Sequence, residues 1–287
     1  MNVDKKIPLY NKPYKDKSKF ALLLKLQMKE LINISTDWFN KYYGSFTQLS
    51  ENHKRVFEIK KEHSLRVANI AFDLSEKLEW AEEEKQIAYL VGILHDIGRF
   101  SQMAEFDTFN DEKSFNHAEK AVGVLKESDL FEILNISNKE LVFAAIINHN
   151  KFKVQDGLTG QELLHSKLIR DADKLDIFRV LTEYYSKKNG DLNYSLSWEL
   201  QKGTIVSPNV VKEIMSGKMV SKKNLISEID VKIMQLSWVY DLNFRPTFEY
   251  LLKNRYLENV YNSLPKNDVV IEIYRKIKVF AENKIMH

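Results

Sequence analysis

Between Lys54 and Trp80 the apolar residues Val56, Ile59, Val67, Ile70, Leu74 and Leu78 recur at steps of three and four, and His63 takes one place on that stripe. A 3.6-residue period sustained over this length predicts an amphipathic helix. Leu22, Leu23, Leu26, Met28, Leu31 and Ile32 predict an earlier helix over about residues 20–34. Over about 82–98 the positions Ile87, Leu90, Val91, Ile93 and Leu94 are apolar on so much of the circumference that the later half must be buried. Helical patterns resume at about 114–126, 138–148 and 161–187, with Gly157 and Gly160 marking a turn before the last. Only 9 glycines and 5 prolines interrupt 287 residues, so the expected fold class is all-α.

The chain divides into an N-terminal arm and helix (1–50), a central helical unit (51–190) and a C-terminal helical subdomain (191–287). The polar segment 187–195, KKNGDLNYS, is the expected boundary. Residues 1–17, with two prolines and several lysines, read as an extended arm. The stretch 99–113 reads as a loop with at most a turn of helix, and 100–113 and 150–160 are the expected mobile rim. Val231, Met234, Trp238 and Leu242 share one helical face, followed by an aromatic-rich 244–261 and a last helix near 269–283.

The charge balance of +3 is too small to imply a surface that coats nucleic acid. The N-terminal residues contain no apolar run of signal-peptide length, and nowhere is there an uncharged apolar stretch of about 20 residues, so neither secretion by that route nor membrane spanning is expected. The absence of cysteine excludes thiolate metal sites and a cysteine nucleophile, and fits a cytoplasmic protein. Any metal must sit on nitrogen and oxygen.

His63, the pair His95–Asp96, then His117, His149 and Asp173 follow one another along the central unit. Asp96 lies in ILHDIG at the end of a buried helix, and a buried carboxylate costs several kcal/mol unless a partner or cation compensates. Neighbouring helical residues point roughly 100° apart, so His95 and Asp96 share one ion only if it lies close to the backbone, and Gly98 is expected to leave room for it. Imidazole with carboxylate suits Mn, Fe, Co, Ni or Zn and, less well, Mg.

His63, the adjacent His95–Asp96 and the distal Asp173 in RDADKLD resemble the H…HD…D signature of HD-domain proteins, a helical superfamily of mostly metal-dependent phosphohydrolases. The match spans about residues 51–190. It implies a helical bundle with a C-terminal extension, catalytic residues His63, His95, Asp96 and Asp173, and at least one divalent ion. His117 and His149 resemble the added ligands of the dinuclear branch. They therefore stand both as metal ligands and as substrate-contacting residues, and a second ion is left open. Asp171 competes with Asp173 for the last carboxylate. The resemblance favours Asp173, leaving Asp171 and Asp176 to orient a ligand histidine or an arginine.

A phosphorylated substrate, a nucleotide among the options, needs cationic donors. Arg66, three residues after His63, shares its helix face, and Arg99 and Lys174 flank the proposed ligands. Lys151 and Lys153 read as solvated charges, and Phe100, Phe106, Phe109 and Phe115 as core more than as a stacking platform. Two other functions stay open: a mixed-valence di-iron oxygenase on the same six residues, and a non-catalytic nucleotide sensor that signals through the aromatics Trp238, Tyr240, Phe244, Phe248 and Tyr250. A homodimer is also left open.

Overall fold

The computed structural model describes residues 17–47, 49–158, 160–186 and 200–286. The expected N-terminal arm and the 187–195 boundary segment lie outside the described residues. Helices run α1 Lys17–Gly44, α2 Glu51–Lys77, α3 Glu82–Leu94, α4 Gly98–Phe106, α5 His117–Lys126, α6 Leu130–Ile133, α7 Lys139–His149 and α8 Gly160–Ser186. After the undescribed segment come α9 Pro208–Met215, α10 Glu228–Ser237, α11 Arg245–Lys253, α12 Tyr256–Asn262 and α13 Asp268–Met286. Among the described residues there is no strand, and no helix is long and apolar enough to cross a membrane.

The apolar stripes do what their period requires. Val67, Ile70 and Leu74 of α2 face α3 and α8, and Ile87, Leu90, Val91, Ile93 and Leu94 of α3 fill the space between α1, α2, α7 and α8. Gly92 sets how close α2 and α3 come, because a Cβ there would stand 2.5 Å from the Cα of Ala68. α2 opens on Ser50, whose side chain accepts from the His53 amide.

Two expectations are corrected. The first helix continues ten residues past 34, because Phe39, Tyr42 and Tyr43 stay in register and their rings pack on Phe57 and Phe100; the helix stops at Gly44. The stretch 99–113 is mostly not loop. Its first part is α4, whose Phe100 and Met103, three apart, are buried, and only 107–116 with its 3-10 turn at Asp111–Lys113 is irregular.

The C-terminal helices pack on the same continuous core. α11 and α12 lie on α8, and α13 lies on α11, α9 and α12. Asp230 and Ser227 form a reciprocal cap on α10. Phe248 is fully buried, and Trp238, Tyr240, Phe244 and Tyr250 pack, partly buried, against the core.

Candidate metal centre

The helix expected over 82–98 ends at Leu94, and His95, Asp96 and Ile97 form a turn before α4 begins at Gly98. That turn lets two sequence neighbours face one point: His95 Nε2 and Asp96 Oδ2 lie 3.8 Å apart. Gly98 does not make room for an ion as expected. Its missing Cβ makes room for α5, because a Cβ there would fall 2.1 Å from the carbonyl oxygen of His117.

α2 supplies His63, α8 supplies Asp173, α5 opens with His117 and α7 closes with His149. His63 Nε2 lies 3.1 Å from Asp173 Oδ1 and 3.8 Å from Asp96 Oδ2. His95 Nε2 lies 3.9 Å from Asp173 Oδ1. On the other oxygen of Asp96, Oδ1, stand His117 Nε2 at 3.3 Å and His149 Nε2 at 3.6 Å. Asp96 thus presents one oxygen to each half of the cluster. The six residues expected as ligands come together, and all are buried except Asp173, which keeps 17% of its side chain exposed.

Every imidazole has its Nδ1 tied to an oxygen: His63 to Asp176 at 2.7 Å, His95 to the Gly92 carbonyl at 2.7 Å, His117 to Asp111 at 2.8 Å and His149 to the Ile146 carbonyl at 2.6 Å. These oxygens only accept, so each Nδ1 carries the proton, and wherever the ring is neutral its Nε2 turns a bare lone pair inward. The Nε2 atoms of His117 and His149 meet at 3.0 Å, two lone pairs facing each other, and His95 Nε2 is fully buried with no hydrogen-bond partner. Such an arrangement calls for a proton or a cation between the nitrogens.

Ligand atoms about 2.1 Å from an ion stand roughly 3.0–3.4 Å from each other, close to the 3.1–3.9 Å separations here. Two groups, His63–His95–Asp173 and His95–Asp96–His149, each bring three ligand atoms together on the scale of one ion. The donor set fits a divalent ion, and its division across Asp96 fits two.

The electrostatics of the site's own residues agree. Burial alone would raise Asp96, but Lys60, His95 and a hydrogen bond from His149 hold it well below the usual carboxylate range. Burial likewise opposes ionisation of Asp173, Asp176 and Asp111, yet hydrogen bonds from His63 to the first two and from His117 to the third bring all three below their ordinary values. Burial pushes His95 down to about 4 and His117 down to about 3. His63 is the exception: burial lowers it, but hydrogen bonds to Asp173 and Asp176 prevail and raise it.

The expected substrate cations separate. Arg66 is committed to Asp176, with Nε at 2.7 Å and Nη2 at 3.2 Å, and to Glu62. Lys174 pairs with Asp241 at 2.7 Å. Both are paired with carboxylates invisible to local spacing. Arg99 stays at it, its Nε 3.5 Å from Asp96 Oδ1, while Nη1 binds Asp111 and the Phe109 carbonyl. Asp176 orients both His63 and Arg66. Asp171 holds neither a histidine nor an arginine; it accepts from Asn243, Phe244 and Thr247.

Two residues were missed. Lys60 sets its Nζ 2.9 Å from Asp96 Oδ2 and 5.3 Å from the centroid of the Phe109 ring. Its place three residues before His63 on one helix face was the available signal. Asp111, in an irregular stretch, left none.

Fold and site together define a helical scaffold built to hold a divalent metal on buried histidines and aspartates. Residues 61–177, which include all six candidate ligands, match the family model of the HD domain, a superfamily most of whose members are metal-dependent phosphohydrolases. No curated protein and no solved structure matches the chain.

Proposed function

We propose that this chain is a metal-dependent phosphohydrolase acting on a nucleotide or another small phosphorylated metabolite. The observation that carries this reading is the convergence of four Nε2 lone pairs and two carboxylates at one buried place, with Lys60 and Arg99 at its rim. When bound, a divalent ion supplies Lewis acidity towards a phosphoryl oxygen and lowers the pKa of water at the site.

The chain's own groups do the rest. His63, His95, Asp96 and Asp173 would hold the ion, and His117, His149 and the other oxygen of Asp96 would hold a second where one binds. Asp176 and Asp111 fix the tautomers of His63 and His117. Lys60, with 23% of its side chain exposed, and Arg99 put positive charge where phosphate oxygens would lie. In this reading 51–190 form the catalytic unit and 191–287 a helical subdomain, and the cysteine-free chain suits the cytoplasm.

Phosphate or pyrophosphate release from a panel of phosphorylated metabolites, with added Mn, Co, Ni or Mg, tests the reading. Release that disappears in Asp96→Ala supports it, and no release with any metal from protein that retains metal refutes it. The same six-residue set, split over the two oxygens of Asp96, also suits a di-iron oxygenase, for which dioxygen uptake without phosphate release would decide.

A further inference from the structure

Arg170 is the largest fully buried side chain, a guanidinium sealed inside a helical core. A charge in that position is costly unless every donor is paired. Its Nη1 donates to the carbonyls of Asn148 at 2.8 Å, His149 at 3.3 Å and Lys151 at 2.5 Å, and its Nη2 to that of Phe152 at 3.2 Å. These carbonyls belong to the last turn of α7 and the residues just after it, where a helix leaves its final carbonyls unpaired and negative. His149, a ligand of the centre, sits on that turn.

The counter-charge comes from outside the matched HD segment. Asp241, closing the 3-10 turn Trp238–Asp241, binds Arg170 through Nε at 2.9 Å and Nη2 at 2.7 Å, and the same carboxylate oxygen takes Lys174 at 2.7 Å. Immediately beyond it, Asp171 accepts from the amides of Asn243 and Phe244 and from the Thr247 hydroxyl at 2.7 Å. One face of α8 therefore grips residues 241–247 on one side and, through Arg170, the end of α7 on the other.

We propose that Asp241 is a positioning residue for the His117–His149 half of the metal centre, acting through Arg170 on the carbonyls that fix where His149 stands. The C-terminal region thereby completes a site whose ligands all lie in the HD domain. This rests on the metal-binding reading above. Asp241 touches no ligand and no substrate. Its carboxylate keeps the guanidinium neutralised and aimed, so that α7 ends with His149 Nε2 turned towards Asp96 Oδ1.

The test uses the full chain carrying Asp241→Asn, with Asp241→Glu as the charge-keeping variant. Asp230→Asn serves as a control, because it loosens the N-terminal cap of α10, in the C-terminal region, through groups other than those of α7 and α8. Mn2+ titration by calorimetry gives stoichiometry and affinity, and amide hydrogen exchange reports on residues 148–153. Asp241→Asn is expected to weaken one Mn2+ equivalent by about tenfold or more, the usual scale for removing an outer support of a ligand. It should also speed exchange at 148–153, with Asp241→Glu recovering part of both, and Asp230→Asn should leave both unchanged. Wild-type Mn2+ binding and exchange in Asp241→Asn overturns the proposal, as does an equal loss in Asp230→Asn. If the wild-type chain binds no Mn2+ at all, the functional reading fails, and the exchange of 148–153 alone decides whether Asp241 holds the end of α7.

Discussion

Replacing Asp176 with asparagine keeps the shape of a buried side chain and removes its charge. Four donors meet the two oxygens of Asp176: His63 Nδ1 at 2.7 Å, Arg66 Nε at 2.7 Å and Nη2 at 3.2 Å, and Arg179 Nε at 3.1 Å. Asparagine offers one acceptor oxygen and turns an NH2 towards N–H groups, so at least one donor must give way. Arg66 and Arg179 keep 31% and 30% of their side chains exposed, and losing their bridges costs no more than ~1 kcal/mol each after screening. The hydrogen bond from the buried His63 to a charged acceptor contributes more, about 1.5–3 kcal/mol. Together these come to about 1.5–5 kcal/mol, which lowers Tm by roughly 2–8 °C for a chain of this size. Because His63 also loses the group that fixes its tautomer, Mn2+ affinity should fall about 10–100-fold. Thermal denaturation in EDTA reads the first effect and calorimetric titration with Mn2+ the second. An Asp176→Asn protein with wild-type Tm and with Mn2+ affinity within twofold of wild type would refute the reasoning.

Two further outcomes follow from the same geometry. Gly98→Ala drives a methyl to 2.1 Å from the His117 carbonyl, so α4 and α5 must part. Stability should drop by about 1–3 kcal/mol or more, and Mn2+ binding should weaken with it, as thermal melts and titration will show. For the metal-free protein, His95 and His117 have folded pKa values of about 4 and about 3 against an ordinary 6.5, so the unfolded chain takes up protons that the folded chain refuses. Stability is then lost as pH falls below about 6.5; the depressed Asp96, Asp173 and Asp176 add further loss below the ordinary carboxylate value of 3.8, and the raised His63 offsets part of it. Denaturant melts in EDTA between pH 7 and pH 4 should show falling stability, and a flat or rising profile would contradict the assignment of bare, buried imidazoles.

Much of this centre is legible in sequence because its parts are short and lie on periodic elements. His63 sits on an apolar stripe that fixes which way it faces, and His95–Asp96 follows a helix too apolar to be anywhere but inside. What is not legible depends on pairs far apart in the chain. Arg66 and Lys174 look free from their spacing, yet Asp176 and Asp241 claim them, 110 and 67 residues away. α4 reads as loop because its buried apolar side chains are only Phe100 and Met103, too short a run for a period to emerge. Gly98 is visible as a glycine, but its role depends on where α5 crosses, which no local pattern contains.

A crystal of the full chain grown with Mn2+ and measured for anomalous scattering puts the central claim to its most direct test. An ion should appear bonded to His63, His95, Asp96 and Asp173, with a second, when present, on His117, His149 and the other oxygen of Asp96. Saturating Mn2+ that leaves no anomalous peak among these side chains, or that binds only elsewhere on the molecule, would contradict it.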